Sequence, residues 1–271
     1  MLHNVKDLRG YTIQATDGEI GAVDDIYFDD KAWTVRYLVV KTGGWLAGRK
    51  VLLAPAALRR PDVQSERLPV SLTRQEVEDS PDIATDMPVY RQHEAELHEY
   101  YGWAPYWGNL GSPVNVLPPI PVRLEKTPGG MVAPPPATDA HLLEPVPQKT
   151  QAPEVGRDPH LRSMNEVSGY HLRAVDGEIG HVETFIVDDQ TWAVMYLVVD
   201  TRNWLPGKKV LLALEWVETV DWLERDVAVN LRQETVKNSP EYDPAKPVSR
   251  AYEEALYDHY GRSPYWQSGS A

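Results

Sequence analysis

The chain has 271 residues, of which 42% are hydrophobic and 25% charged, the balance of an ordinary globular protein. A formal charge of −13 argues against broad binding to nucleic acid or an anionic membrane surface, since both need clustered Lys and Arg. The lack of cysteine excludes disulfides, thiol nucleophiles and Cys-ligated metal centres, and no run approaches the ~18 apolar residues of a membrane span.

The opening residues MLHNVKDLRG hold no apolar stretch of signal-peptide length, so a cytoplasmic location is expected. Asp17-Gly18 lies between short alternating runs, the strongest local signal for a hairpin. A second turn is expected at Asp29-Asp30, after which Trp33, Val35, Tyr37 and Val39 alternate as a strand. A loop at Gly43 to Gly48 precedes the buried-looking run Val51-Leu52-Leu53-Ala54. Shorter strands near Ala57 to Arg60 and Arg67 to Val70 bring the count to about six. A meander this small must close, or nearly close, to protect its edges, which favours a barrel. The period then changes. Thr73 and Glu76 form the capping pair of a short helix that Ser80-Pro81 stops, and Val89 to Tyr101 reads as a longer helix ended by Gly102.

Apart from the capping pair, this pattern recurs 159 positions later. Leu2 to Trp107 aligns without a gap to Leu161 to Trp266, and 43 of the 106 aligned pairs are identical. Between the copies, residues 108 to 160 hold 12 of the 23 prolines and almost no aromatic residue. Such a segment buries too little apolar surface to offset its ordering entropy, and it reads as a linker spanning about 40 Å. A docking motif for a proline-binding domain is the other reading, but no PxxP is flanked by a convincing basic anchor. The expected organisation is repeat one over 1–107, a Pro-rich linker over 108–160 and repeat two over 161–271, each repeat carrying a helical tail.

The string Asp-Gly-Glu-Ile-Gly, an Asp-rich turn, Tyr-Leu-Val-Val, and then Trp-Leu with Lys-Val-Leu-Leu occurs in both copies. It resembles the PRC-barrel domain, the barrel of the photosynthetic reaction centre H subunit and of the C-terminus of the ribosome maturation factor RimM. The resemblance covers residues 1 to about 70 and 161 to about 229. It implies two small six-stranded β-barrels and a non-enzymatic role in which the barrel docks onto other proteins. Fold is weak evidence for function, so this last step is analogy.

The duplication offers an internal control on candidate chemistry. His93, Glu94 and His98 are spaced as metal ligands on one helix, but their counterparts are Tyr252, Glu253 and Tyr257, so both imidazoles are lost and a solvated helix face is expected. His181, opposite Ala22, fails the same test. Asp24-Asp25 and Asp29-Asp30 offer oxygen ligands, yet only the turn pair recurs, at Asp188-Asp189, and Asp stabilises turns unaided. No nucleophile elbow, zinc-protease motif or phosphate loop occurs.

No catalytic, cofactor or metal residue is therefore assigned. Trp33 and Trp192 read as structural. The candidate partner anchors are Trp45-Leu46, Trp204-Leu205, Tyr106-Trp107 and Tyr265-Trp266, with plugging of the barrel end the favoured alternative. The leading expectation is a non-catalytic structural or interaction module with an unidentified protein partner, its barrels paired face to face within the chain. An enzyme binding a small molecule or metal in a cleft between the barrels, and a peripheral partner of a photosynthetic or other bioenergetic membrane complex, are the alternatives.

Overall fold

The computed structural model describes residues 1–46, 48–81, 89, 91–107, 160–201 and 208–267. The first half comprises β1 (Leu2–Asn4), α1 (Val5–Leu8), β2 (Thr12–Ala15), β3 (Gly18–Asp29), β4 (Thr34–Thr42), β5 (Lys50–Leu53), β6 (Arg67–Pro69), α2 (Arg74–Glu78) and α3 (Arg91–Tyr101). The second half repeats this as β7 (Leu161–Ser163), α4 (Met164–Val167), β8 (His171–Ala174), β9 (Gly177–Asp188), β10 (Val194–Asp200), β11 (Lys209–Ala213), β12 (Val217–Asp221), β13 (Asp226–Val229), α5 (Gln233–Lys237) and α6 (Arg250–Tyr260). The fold is mainly β, with two sheets and a helical tail after each.

The shared glycine motif has two structural jobs. Gly18 and Gly177 open the long strands β3 and β9 directly after the hairpin turn. At Gly21 and Gly180 the neighbouring strand passes so close that a Cβ would lie 2.1 Å from the carbonyl oxygens of Lys41 and Asp200. The aspartates of the same motif reach the tail: Asp17 accepts from the amide of Arg74 at 2.7 Å and Asp176 from that of Gln233 at 2.8 Å. The hairpin thus caps α2 and α5 from outside. Thr73 and Glu76 form the full capping box at α2, which α5 lacks because Arg232 stands at its N-cap. Helix α6 ends on Gly261 in the left-handed conformation.

In one sheet the strand order is β5-β4-β3-β2-β6, and in the other β11-β10-β9-β8-β13-β12. In the first half the segment after β5 forms only two isolated bridges, Leu58 to Val70 and Asp62 to Arg67, where a short strand was expected. The equivalent segment of the second half is the full strand β12. Pro61 replaces Val220 in that first-half segment, and proline cannot donate to a ladder.

The sequence did not show where the first strand of each half goes. β1 pairs with β9 of the second half, Leu2 opposite Asp188, and β7 pairs with β3 of the first, Leu161 opposite Asp29. The exchange is reciprocal and in equivalent register. It also merges the interiors: one apolar core runs through Ile13, Phe28, Leu38 and Leu53 of the first half and Phe185, Tyr196, Leu211 and Val236 of the second. Phe28 and Phe185 meet across it with ring centroids 5.8 Å apart.

Candidate functional site

The tail helices bury carboxylates, which corrects the expectation of a solvated face. Glu94 is 0% exposed and His98 only 7%, because α3 presents them to β4 instead of to water. The Tyr37 hydroxyl donates to Glu94 Oε2 at 3.1 Å and lies 2.9 Å from His98 Nε2. Tyr106 donates a second bond to Glu94, and His160, the residue before the exchanged strand β7, lies 3.3 Å from Glu94 Oε1. The Arg36 guanidinium covers the Tyr106 ring at 3.9 Å. The second half repeats the plan around Glu253, with Tyr196 at 2.7 Å, Tyr265 at 3.1 Å and Arg250 at 3.2 Å. Burial first, then Glu253, pushes the Tyr196 hydroxyl far above the usual phenol range, so it stays a donor.

The acidic cluster is taken up by the exchange. Asp25 accepts from Ser163 Oγ at 2.5 Å and from the amide of Asn165 at 3.3 Å, both on the incoming segment. Burial raises the Asp25 carboxyl above its ordinary value despite these bonds. At the equivalent junction Thr184 donates to Asn4 at 3.1 Å, and Glu183 binds both Lys6 at 3.2 Å and Lys209 at 2.6 Å. Arg162 reaches Asp30 at 3.0 Å, as His3 at the matching position reaches Asp189 at 3.1 Å. Asp29 and Asp188 cap their turns through backbone amides. No group of three His, Asp or Glu with metal-holding geometry occurs among the described residues.

The expected anchors turn inward where they are described. Trp45 donates from Nε1 to the Ile20 carbonyl at 2.8 Å, is half-buried, and carries the Arg74 guanidinium over its ring at 4.3 Å. Leu46 is half-buried beside it in a 3-10 turn. Tyr106 joins the Glu94 cluster, and Trp107 packs on His98 at 4.8 Å. Tyr265 joins the Glu253 cluster, and Trp266 packs between Tyr257 at 5.3 Å and Arg250 at 3.9 Å. Trp204 and Leu205 lie outside the described residues.

A cleft between the barrels was expected only as the alternative reading, and the residues that line it were not named. An open groove of about 230 Å³ is lined by Asp30 and Trp33 on one side and by Leu214, the run 217–220 and Trp222 on the other. Trp33 and Trp222 face each other with ring centroids 6.3 Å apart, and Arg162 lies 4.4 Å over Trp222. Beyond the groove, Leu223 is 88% exposed at the β12–β13 turn. The signal was available in the difference between the copies, since Val63 and Gln64 stand where the second half has Trp222 and Leu223.

Residues 2–70 match the family model of the PRC-barrel domain. The chain therefore carries a PRC-barrel domain over this segment, which spans β1 to β6 of the first half. No curated protein matches the chain by sequence. Among the described residues, no helix is long and apolar enough to cross a membrane.

Proposed function

We propose that the protein is a non-catalytic interaction module, two PRC-type barrels fused into one pseudo-dimer that presents a docking surface to a protein partner in the cytoplasm. The observation that carries this reading is the division of labour among its side chains. The carboxylates and tyrosines common to both halves, Glu94 with Tyr37 and Tyr106 and Glu253 with Tyr196 and Tyr265, bind each other and hold the tail helices to the sheets. Among the described residues the most exposed large apolar side chain, Leu223, lies beside the groove lined by the half-buried Trp33 and Trp222 and has no apolar counterpart in the first half. Contiguous apolar surface of this kind marks interaction sites.

The test is affinity capture with the full chain, followed by sedimentation equilibrium of the purified pair. A stoichiometric complex is expected. A chain that captures no stoichiometric protein and instead binds a small molecule in ligand-observed NMR screening overturns the reading in favour of an enzyme.

A further inference from the structure

Strand β12 ends its sheet, with β13 on one side only. Four consecutive residues of the segment, 217 to 220, line the groove. Side chains along a strand alternate between faces, and although a register shift between Val217 and Thr219 interrupts the alternation, a groove touched by four consecutive residues runs along the strand's edge. The opposite wall is Trp33 and Asp30 of the first half. An unpaired edge beside an aromatic side chain is a geometry for strand addition: main-chain bonds supply affinity and alternate side chains enter the pocket.

The duplication shows that this edge is not an accident of the fold. Proline blocks pairing along a strand edge because it cannot donate to a ladder. The first half carries Pro61 there, beside Arg59 and an Arg60 that reaches across to Asp189 at 3.5 Å. The second half has Glu218, Thr219 and Val220 at those positions, then Trp222 and Leu223. The turn that carries Leu223 is ordered, since Asp221 accepts from the amides of Leu223 at 3.0 Å and Glu224 at 2.9 Å. The same edge is acidic. Glu215, Glu218, Asp221 and Glu224 are exposed along it, against the single exposed Arg225.

We propose that the β12 edge binds an extended partner segment in which apolar side chains alternate with Lys or Arg. The apolar side chains pack along the groove against the outer faces of Trp33 and Trp222, and the basic ones meet the Glu218–Glu224 side. This rests on the interaction-module reading and names its surface.

The experiment uses the full chain and a labelled eight-residue peptide of alternating Lys and Val, read by fluorescence anisotropy and by hydrogen exchange of the amides of 217–221. Two variants bring in the first half's residues: Val220→Pro/Trp222→Val/Leu223→Gln, and Trp222→Val/Leu223→Gln, which leaves the strand itself unaltered. The expected result is saturable binding that slows exchange in 217–221, at least tenfold weaker in either variant while the thermal transition stays cooperative. The proposal is overturned if the peptide fails to bind the parent chain, if both variants bind it equally, if an alternating Glu–Val peptide binds as well, or if protection falls elsewhere. Concentration-dependent self-association lost in the variants would also overturn it, assigning the edge to a second copy. A protein partner that still binds both variants with unchanged affinity would sink this inference and leave the interaction-module reading intact.

Discussion

Thr34 and Ala193 occupy equivalent positions in the two copies and form an antiparallel bridge with each other. A residue paired with its own counterpart marks the two-fold axis of an isologous contact, here within one chain. The flanking bonds obey the same symmetry: Val35 donates to the Trp192 carbonyl and Val194 to the Trp33 carbonyl, each at 2.8 Å. Trp33 and Trp192 adopt positive φ of 48° and 57°, a turn conformation that aims both carbonyls across the axis.

Replacing Val35 by Pro removes one of these donors and orphans the carbonyl of the buried Trp192. The expected loss is about 1–3 kcal/mol, read by urea denaturation. Because the core is continuous, fluorescence and far-UV circular dichroism should shift together. Two separated transitions would show that the halves unfold independently.

Gly21→Ala and Gly180→Ala place a methyl group against a backbone carbonyl that cannot swing aside. Each should cost about 1–3 kcal/mol or more through strand displacement. Gly10 and Gly169 have open space around the missing Cβ and suffer only their positive φ, so alanine there should cost about 1–2 kcal/mol. Thermal melts of the four variants give the comparison, and an innocuous Gly21→Ala would contradict the close approach.

Local chemistry was legible in the sequence and long-range partnering was not. The Asp17-Gly18 turn, Thr73 with Glu76, and Gly261 shape the chain within a few residues of themselves, and each appears where its chemistry requires, whereas the reach of Asp17 to the Arg74 amide was not legible. Leu2-His3-Asn4 is too short for a period to show, and β3 and β9 are similar enough that either could accept it. Glu94 was read as solvated because the comparison of copies was applied to its neighbouring imidazoles. Applied to the carboxylate, it points the other way, since Tyr37, Glu94 and Tyr106 all recur as Tyr196, Glu253 and Tyr265. Trp222 was missed because it is a difference between the copies, and a search for shared sites passes over it.

Glu253→Leu strands the Tyr196 and Tyr265 hydroxyls and leaves the half-exposed Arg250 without this partner. It should cost about 2–4 kcal/mol, since bonds to a charged acceptor are worth about 1.5–3 kcal/mol each and the losses overlap. Glu253→Gln keeps an acceptor and should recover part of this. Equal stability of the Leu variant and the parent in thermal melts would show that the cluster does not hold α6.

The Lys6–Glu183–Lys209 group makes the exchange sensitive to acid. Burial alone would raise the Glu183 carboxyl, but Lys209 and Lys6 outweigh it and hold the group below its ordinary 4.5. The stability it contributes is therefore present above about pH 4.5 and lost as pH falls through the lower folded value. Glu183→Gln should lower Tm near pH 7, and its difference from the parent should shrink as pH falls below about 4.5. A difference that persists undiminished at pH 3 would contradict the assignment.

The exchange of first strands is tested most directly by cross-linking, which a chain without cysteine makes clean. Leu2→Cys with Asp188→Cys joins partners across the two halves, and Leu2→Cys with Asp29→Cys joins the equivalent positions within the first half. The structure predicts that the 2–188 pair oxidises readily to a monomeric product, with peptide mapping recovering the linked segments, while the 2–29 pair stays reduced. Rapid closure of 2–29 with an open 2–188 pair would place each first strand on its own sheet and contradict the fused pseudo-dimer.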